Sequence, residues 1–139
     1  MNIKTPEILK FFAEPIFKYK FENFKNFNKE LCEYIYSLKK EDEKGVEKSN
    51  RGGWHSKDFE LTLKDSIQNR FALELQKYIL STFQNFGWKT ENKNIRIQSM
   101  WAIINKKNDF NVLHSHPNCF LSAAYYVKAE KNCGRFQVE

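Results

Sequence analysis

No apolar run in this sequence approaches the roughly 20 residues that a membrane span requires. The opening stretch MNIKTPEILKFFAEP has no apolar core long enough for a signal peptide, so a soluble cytoplasmic protein with no membrane role is expected. Cysteine is scarce. Cys32, Cys119 and Cys133 are odd in number and lack CxxC spacing, which excludes a disulfide framework and a structural zinc module and leaves reduced, buried thiols as the expectation. There is no internal repeat and no low-complexity tract. Histidine is equally scarce, with three in the chain and two of those in one short stretch.

What is present argues for one folded domain spanning 1–139. Hydrophobic residues make up 41% and aromatics 16%, with 13 Phe and 6 Tyr, which excludes the low-hydrophobicity signature of disorder. The formal charge of +6 would suit nucleic acid, an anionic membrane surface or a small acidic ligand. The lysines are scattered rather than clustered, however, and read as a solvated basic surface.

The segment EILKFFAEPIFKYKF, broken by Pro15, predicts one or two short extended pieces. In NFKNFNKELCEYIYSLKK, Phe24, Phe27, Leu31, Ile35 and Leu38 recur every three or four residues, predicting a helix that ends near Lys40. The charged and then glycine-rich residues 40–53 read as a loop. A second helix is marked by Asp65 and Gln68 in the spacing of a capping box, by an apolar series from Ile67 through Phe71, Leu75, Ile79 and Phe83 to Phe86, and by Gly87 as its stop. Strands are predicted at NIRIQSMWAIIN (94–105), CFLSAAYYVKA (119–129) and GRFQVE (134–139).

Between the first two of these strands lies NVLHSHPNCF. On an extended segment, side chains two apart project to one face, so His114 and His116 can aim their imidazoles at a common point. Imidazole binds Zn, Fe, Cu and Ni, and a catalytic centre takes three protein ligands and leaves positions open for substrate or oxygen. Pro117 removes a backbone donor and blocks further pairing, and Asn111 offers a side-chain bond that would shape the turn into the pair. The alternative is a pair of surface histidines at a strand end.

The run from Trp101 to Glu139 resembles the first half of the double-stranded β-helix in 2-oxoglutarate, Fe(II)-dependent oxygenases related to prolyl 4-hydroxylases. The resemblance is carried by N-x-x-H-x-H-P (Asn111, His114, His116, Pro117), then S-x-x-Y-Y-V (Ser122, Tyr125, Tyr126, Val127) and a glycine, Gly134. FFAEPIFKYKF and RGGWHSKDFEL resemble that group as well. The resemblance implies Fe(II) and 2-oxoglutarate as cofactors, His114 and His116 as metal ligands, and Tyr126 against the distal carboxylate of 2-oxoglutarate, with Ser122 and Asn111 shaping the same pocket. In the wider superfamily the second ligand is Asp or Glu; an imidazole at His116 makes the site one negative charge poorer. The implied fold is α+β: two helices packed against a double-stranded β-helix, a jelly-roll or cupin-like barrel, left incomplete in this chain. The implied reaction is hydroxylation of an unidentified substrate coupled to oxidative decarboxylation of 2-oxoglutarate.

The same resemblance places a distal histidine and a basic anchor for the cosubstrate on later strands, beyond Glu139. The chain is therefore expected to be a fragment, inactive alone, or to associate with itself through the open barrel edge. His55, expected in a loop near the entrance, and Glu139 are the remaining candidates for a third ligand. Two rival readings stand beside this one. In a cupin-like barrel the HxH would be followed closely by glutamate, whereas Phe120 and Leu121 stand there. A basic nucleic-acid-binding module without catalysis would use interleaved Lys, Phe and Tyr as a stacking surface, but the aromatics of FALELQKYILSTFQNF fall on core spacing.

Overall fold

Helix α1, Phe24–Glu41, forms where apolar residues recur on one stripe, and Lys39 and Lys40 in its last turn complement the negative end of its dipole. Leu31 and Ile35 are buried, Phe27, Tyr34 and Leu38 pack beside them, and Phe24 at the start of the helix is 42% exposed. These observations come from a computed structural model, which describes residues 14–22 and 24–138. Much of the EILKFFAEP piece lies outside the described residues; the remainder, from residue 14 to Phe21, carries no regular strand and instead inserts Phe21 into the core.

Helix α2 runs Ile67–Asn85 and ends as the glycine predicts. Gly87 adopts φ +72°, its amide donates to the Gln84 carbonyl over 2.9 Å, and the Trp88 amide reaches back to Phe83 O over 3.0 Å. Trp88 then packs on Phe83 with ring centroids 5.1 Å apart, which completes a Schellman motif with its apolar contact. The start differs from the expected capping box. Ser66, not Asp65, is the cap: its Oγ accepts the Asn69 amide proton over 3.3 Å. Asp65 sits at φ +60° in the turn before it, and Gln68 is buried, its Nε2 donating to the Glu60 carbonyl over 3.2 Å.

The β structure is smaller than the sequence predicts. Strand β1 (Asn50–Arg51) lies within the segment read as a loop, β2 is Trp54–His55, β3 Ile103–Ile104 and β4 Phe110–Asn111. Antiparallel pairing matches Asn50 with Asn111 and Arg51 with Phe110, then Trp54 with Ile104 and His55 with Ile103. Between the two ladders, Gly52 and Gly53 face residues 105–109, a bulge that splits one long antiparallel run into two pieces. The run extends at both ends: Val112 N donates to Ser49 O (2.9 Å), Ser56 N to Ala102 O (2.9 Å) and Phe59 N to Met100 O (2.7 Å). Regular strand stops at Ile103 because the Ala102 amide is taken by the Ser56 hydroxyl at 2.9 Å instead of a backbone carbonyl.

The other two predicted strands do not form among the described residues, and no barrel closes there. A strand needs a ladder partner, and residues 119–129 have none. They are held to the helices through side chains, Tyr125 and Val127 packing on the core. Residues 134–138 are exposed and unpaired by backbone. The architecture is thus α+β, two helices with two short antiparallel ladders around the core of Phe21, Leu31, Ile35, Trp54, Phe59, Phe71 and Ala102. Among the described residues no helix is long and apolar enough to cross a membrane. The cysteines are free, as expected, but Cys119 and Cys133 are exposed and Cys32 is half-buried, so the expectation of buried thiols fails.

Candidate metal centre

The long antiparallel run decides where the histidines lie. Pairing of Ser49 with Val112 delivers the chain from β4 into residues 112–116, and a turn at Pro117 and Asn118, the latter at φ +64°, directs it away again. In that short stretch His114 and His116 turn toward each other, their ring centroids 4.8 Å apart at an interplanar angle of 64°. Two imidazoles that hold one ion through nitrogens at about 2.0–2.1 Å have centroids about 4.5–5 Å apart, so the spacing suits a shared metal.

The proton placement suits it as well. His114 Nδ1 lies 2.7 Å from the Val112 carbonyl oxygen, which can only accept, so Nδ1 carries a proton and Nε2 is the nitrogen that would face a metal. Metal-binding histidines are oriented by this kind of outer bond. His114 is exposed and His116 half-buried, leaving room for further ligands from solvent or substrate.

The His116 ring meets Trp101, with centroids 5.5 Å apart and planes 21° from parallel. Trp101 in turn lies against His55 at 5.7 Å and 13°, and Lys48 Nζ stands 5.7 Å from the indole centroid. Sequence reasoning singled out neither Trp101 nor Lys48 for the site; the available signal was that Trp101 opens the stretch carrying the motif. His55 itself is not in a loop near an entrance. It belongs to β2, is 2% exposed, and its Nδ1 lies 2.6 Å from the Ser56 carbonyl oxygen. Burial holds its imidazole below the usual histidine range, so it is neutral at pH 7.

Asn111 is exposed on β4 opposite Asn50. Ser122 and Tyr126 are exposed too, and no hydrogen bond or ring contact among the described residues joins either to the histidine pair. Among the described residues there is no group of three or more His, Cys, Asp and Glu side chains placed to hold a metal, and Glu139 lies outside them. A cleft of about 620 Å³ bordered by Tyr36, Trp54, Ile104 and Lys106 contains none of the motif residues.

Residues 99–139 match a family described as "Putative 2OG-Fe(II) oxygenase". Over this stretch, less than half of the chain, the sequence is similar to that family. The matched residues hold the whole HxH segment together with Trp101, Ser122 and Tyr126, so the oxygenase-like stretch and the converging imidazoles coincide. No curated protein and no solved structure matches the chain. The family's name implies Fe(II) and 2-oxoglutarate, and the two imidazoles, one of them held by its Nδ1 to a backbone carbonyl, are donors of a type that fits two of the positions around such an ion.

Proposed function

We propose that the histidine pair supplies two of the protein ligands of an Fe(II) site in a 2-oxoglutarate-dependent oxygenase. The observation that carries this reading is the convergence of His114 and His116 within the oxygenase-like stretch, with Nδ1 of His114 tied to the Val112 carbonyl. His114 and His116 donate through nitrogen and add no charge to the ion. When bound, Fe(II) supplies oxygen activation coupled to decarboxylation of 2-oxoglutarate to succinate and CO2, and through it hydroxylation of a substrate C–H bond.

Tyr126, which is exposed and makes no hydrogen bond among the described residues, is the proposed contact for 2-oxoglutarate, and Ser122 and Asn111 are proposed to shape that pocket. Support for these three is the motif spacing and their exposure. Neither rival gains an observation. Of the aromatics in FALELQKYILSTFQNF, Phe71 is buried and Tyr78, Phe83 and Phe86 are half-buried, as their core spacing predicts.

Anaerobic titration of the chain with Fe(II), and with Mn(II) as a redox-stable substitute, tests the assignment with and without 2-oxoglutarate. Binding strengthened by 2-oxoglutarate and weakened at least about tenfold by His114→Ala and by His116→Ala is the expected result. Equal affinity in both variants and the parent would overturn it.

A further inference from the structure

The two imidazoles are not held alike. His114 has the Val112 carbonyl; the His116 ring has no hydrogen bond among the described residues, and its segment, 112–116, has no regular secondary structure. Its ring plane is set by the indole of Trp101, 5.5 Å away and nearly parallel. Offset parallel aromatic pairs at this separation attract through dispersion and quadrupole terms, and the contact leaves the ring nitrogens at the edge free.

Trp101 can serve as a reference because it is itself fixed. Its neighbour Ala102 is bonded at both backbone groups to Ser56, amide to Oγ and carbonyl to amide, each at 2.9 Å. Its ring lies parallel to that of His55, which is buried and pinned through Nδ1. Four rings in sequence, His55, Trp101, His116 and His114, therefore run from the interior of the domain out to the pair.

We infer that Trp101 is the positioning residue of the metal pair: it orients the His116 imidazole, with His55 as its backing, so that both nitrogens meet one ion. The inference rests on the metal reading above and goes beyond it by naming what sets the second ligand. A ligand ring released from its support keeps its chemistry and loses affinity, typically by 10- to 100-fold when an outer partner is removed.

The test compares the whole chain with Trp101→Leu, Trp101→Phe and His116→Ala, using Co(II) as probe by titration calorimetry, and follows the His116 ring C–H signals by NMR. Trp101→Leu is expected to weaken Co(II) binding about tenfold and to abolish the ring-current shift of the His116 signals, while Trp101→Phe keeps the shift and holds affinity within about threefold. If His116→Ala loses Co(II) while Trp101→Leu binds as the parent does, the positioning role is wrong and the metal reading stands. If neither variant changes binding, the metal reading fails and takes the inference with it. Should Trp101→Leu not fold, His116 ring signals at unshifted positions in the folded parent would overturn the stack directly.

Discussion

Tyr125 donates its hydroxyl proton to Asn28 Oδ1 over 2.6 Å, and the Asn28 amide donates in return to the Val127 carbonyl over 2.7 Å. One side chain on α1 thus clamps a segment about a hundred residues away that has no strand to pair with, and the Tyr125 ring closes the contact against Phe21 and Phe71. Each such bond contributes about 1 kcal/mol net. Asn28→Ala should lower unfolding free energy by about 2 kcal/mol and Tyr125→Phe by about 1 kcal/mol in urea denaturation. A change under a few tenths of a kcal/mol in Asn28→Ala would show that the clamp does not form.

The adjacent tyrosine should behave in the opposite way. Tyr126 is 57% exposed, whereas Tyr125 packs among aromatic rings. Tyr126→Ala is expected to leave stability within about 0.5 kcal/mol of the parent, against about 3 kcal/mol lost in Tyr125→Ala. The same Tyr126→Ala chain, still folded, should lose the strengthening of Mn(II) binding by 2-oxoglutarate. Loss of stability comparable to that of Tyr125→Ala would exchange the roles of the pair.

The contrast between these two tyrosines illustrates what the sequence could and could not say. Both helices were legible because their signal is local: Leu31 and Ile35 fall one turn apart, and Gly87 stops α2 where it stands. The ladders were legible only in part: β3 falls inside the strand predicted at 94–105, but pairing joins 49–59 to 100–112, too far apart for a local signal, and the β1–β4 ladder is partly polar. Asn50 and Asn111, opposite each other, carry no apolar alternation that would announce a strand. Compact apolar runs such as 119–129 gave the reverse error, since hydrophobicity reports burial and a strand also needs a neighbour. At the site, spacing put His114 and His116 on one face and the motif around them made them candidates, whereas nothing marked Trp101, because its place depends on a residue, His55, about fifty positions earlier.

His55 leads to a pH dependence whose sign follows from its burial. Its folded-state imidazole is held below the usual histidine range, chiefly by desolvation, with Lys48 adding to the effect and the Ser56 carbonyl and Asp58 opposing it. The unfolded chain therefore takes up a proton near pH 6.5 that the folded chain refuses. Stability should be full above that pH, fall as pH drops below about 6.5, and level off beneath the folded-state pKa. Melting temperatures across pH 5–8 should show this slope in the parent and a reduced slope in His55→Gln. Asp42, held low by its bond to Lys57, acts in a separate window at lower pH, where its stabilising contribution disappears as the carboxylate protonates.

Gly45 carries a constraint that the charged character of its loop conceals. Its φ of +61° lies in the left-handed region, its amide reaches the Asp42 carbonyl at 3.2 Å and Asp42 Oδ1 at 3.1 Å, and the next amide, of Val46, donates to His55 O at 2.9 Å. The Trp54 indole lies across this turn, its Nε1 donating to the Asp42 carbonyl over 2.8 Å. An added Cβ would run into the His55 carbonyl oxygen, which cannot withdraw without disturbing the β2 pairing with β3, and come within 2.8 Å of the buried Trp54 ring. Gly87 offers the matched control: its φ is +72°, yet nothing lies within 4 Å of the corresponding Cβ position. Gly87→Ala should cost about 1 kcal/mol, the price of backbone conformation alone. Gly45→Ala should cost about 3 kcal/mol, because the steric term adds to it. Chemical denaturation of the two variants side by side measures the difference, and because β2 also holds His55 behind Trp101, the Gly45 variant should lose metal affinity along with stability while the Gly87 variant keeps it. Equal costs in the two would mean that the turn does not press against Trp54 and that the backing of the histidine pair does not begin there.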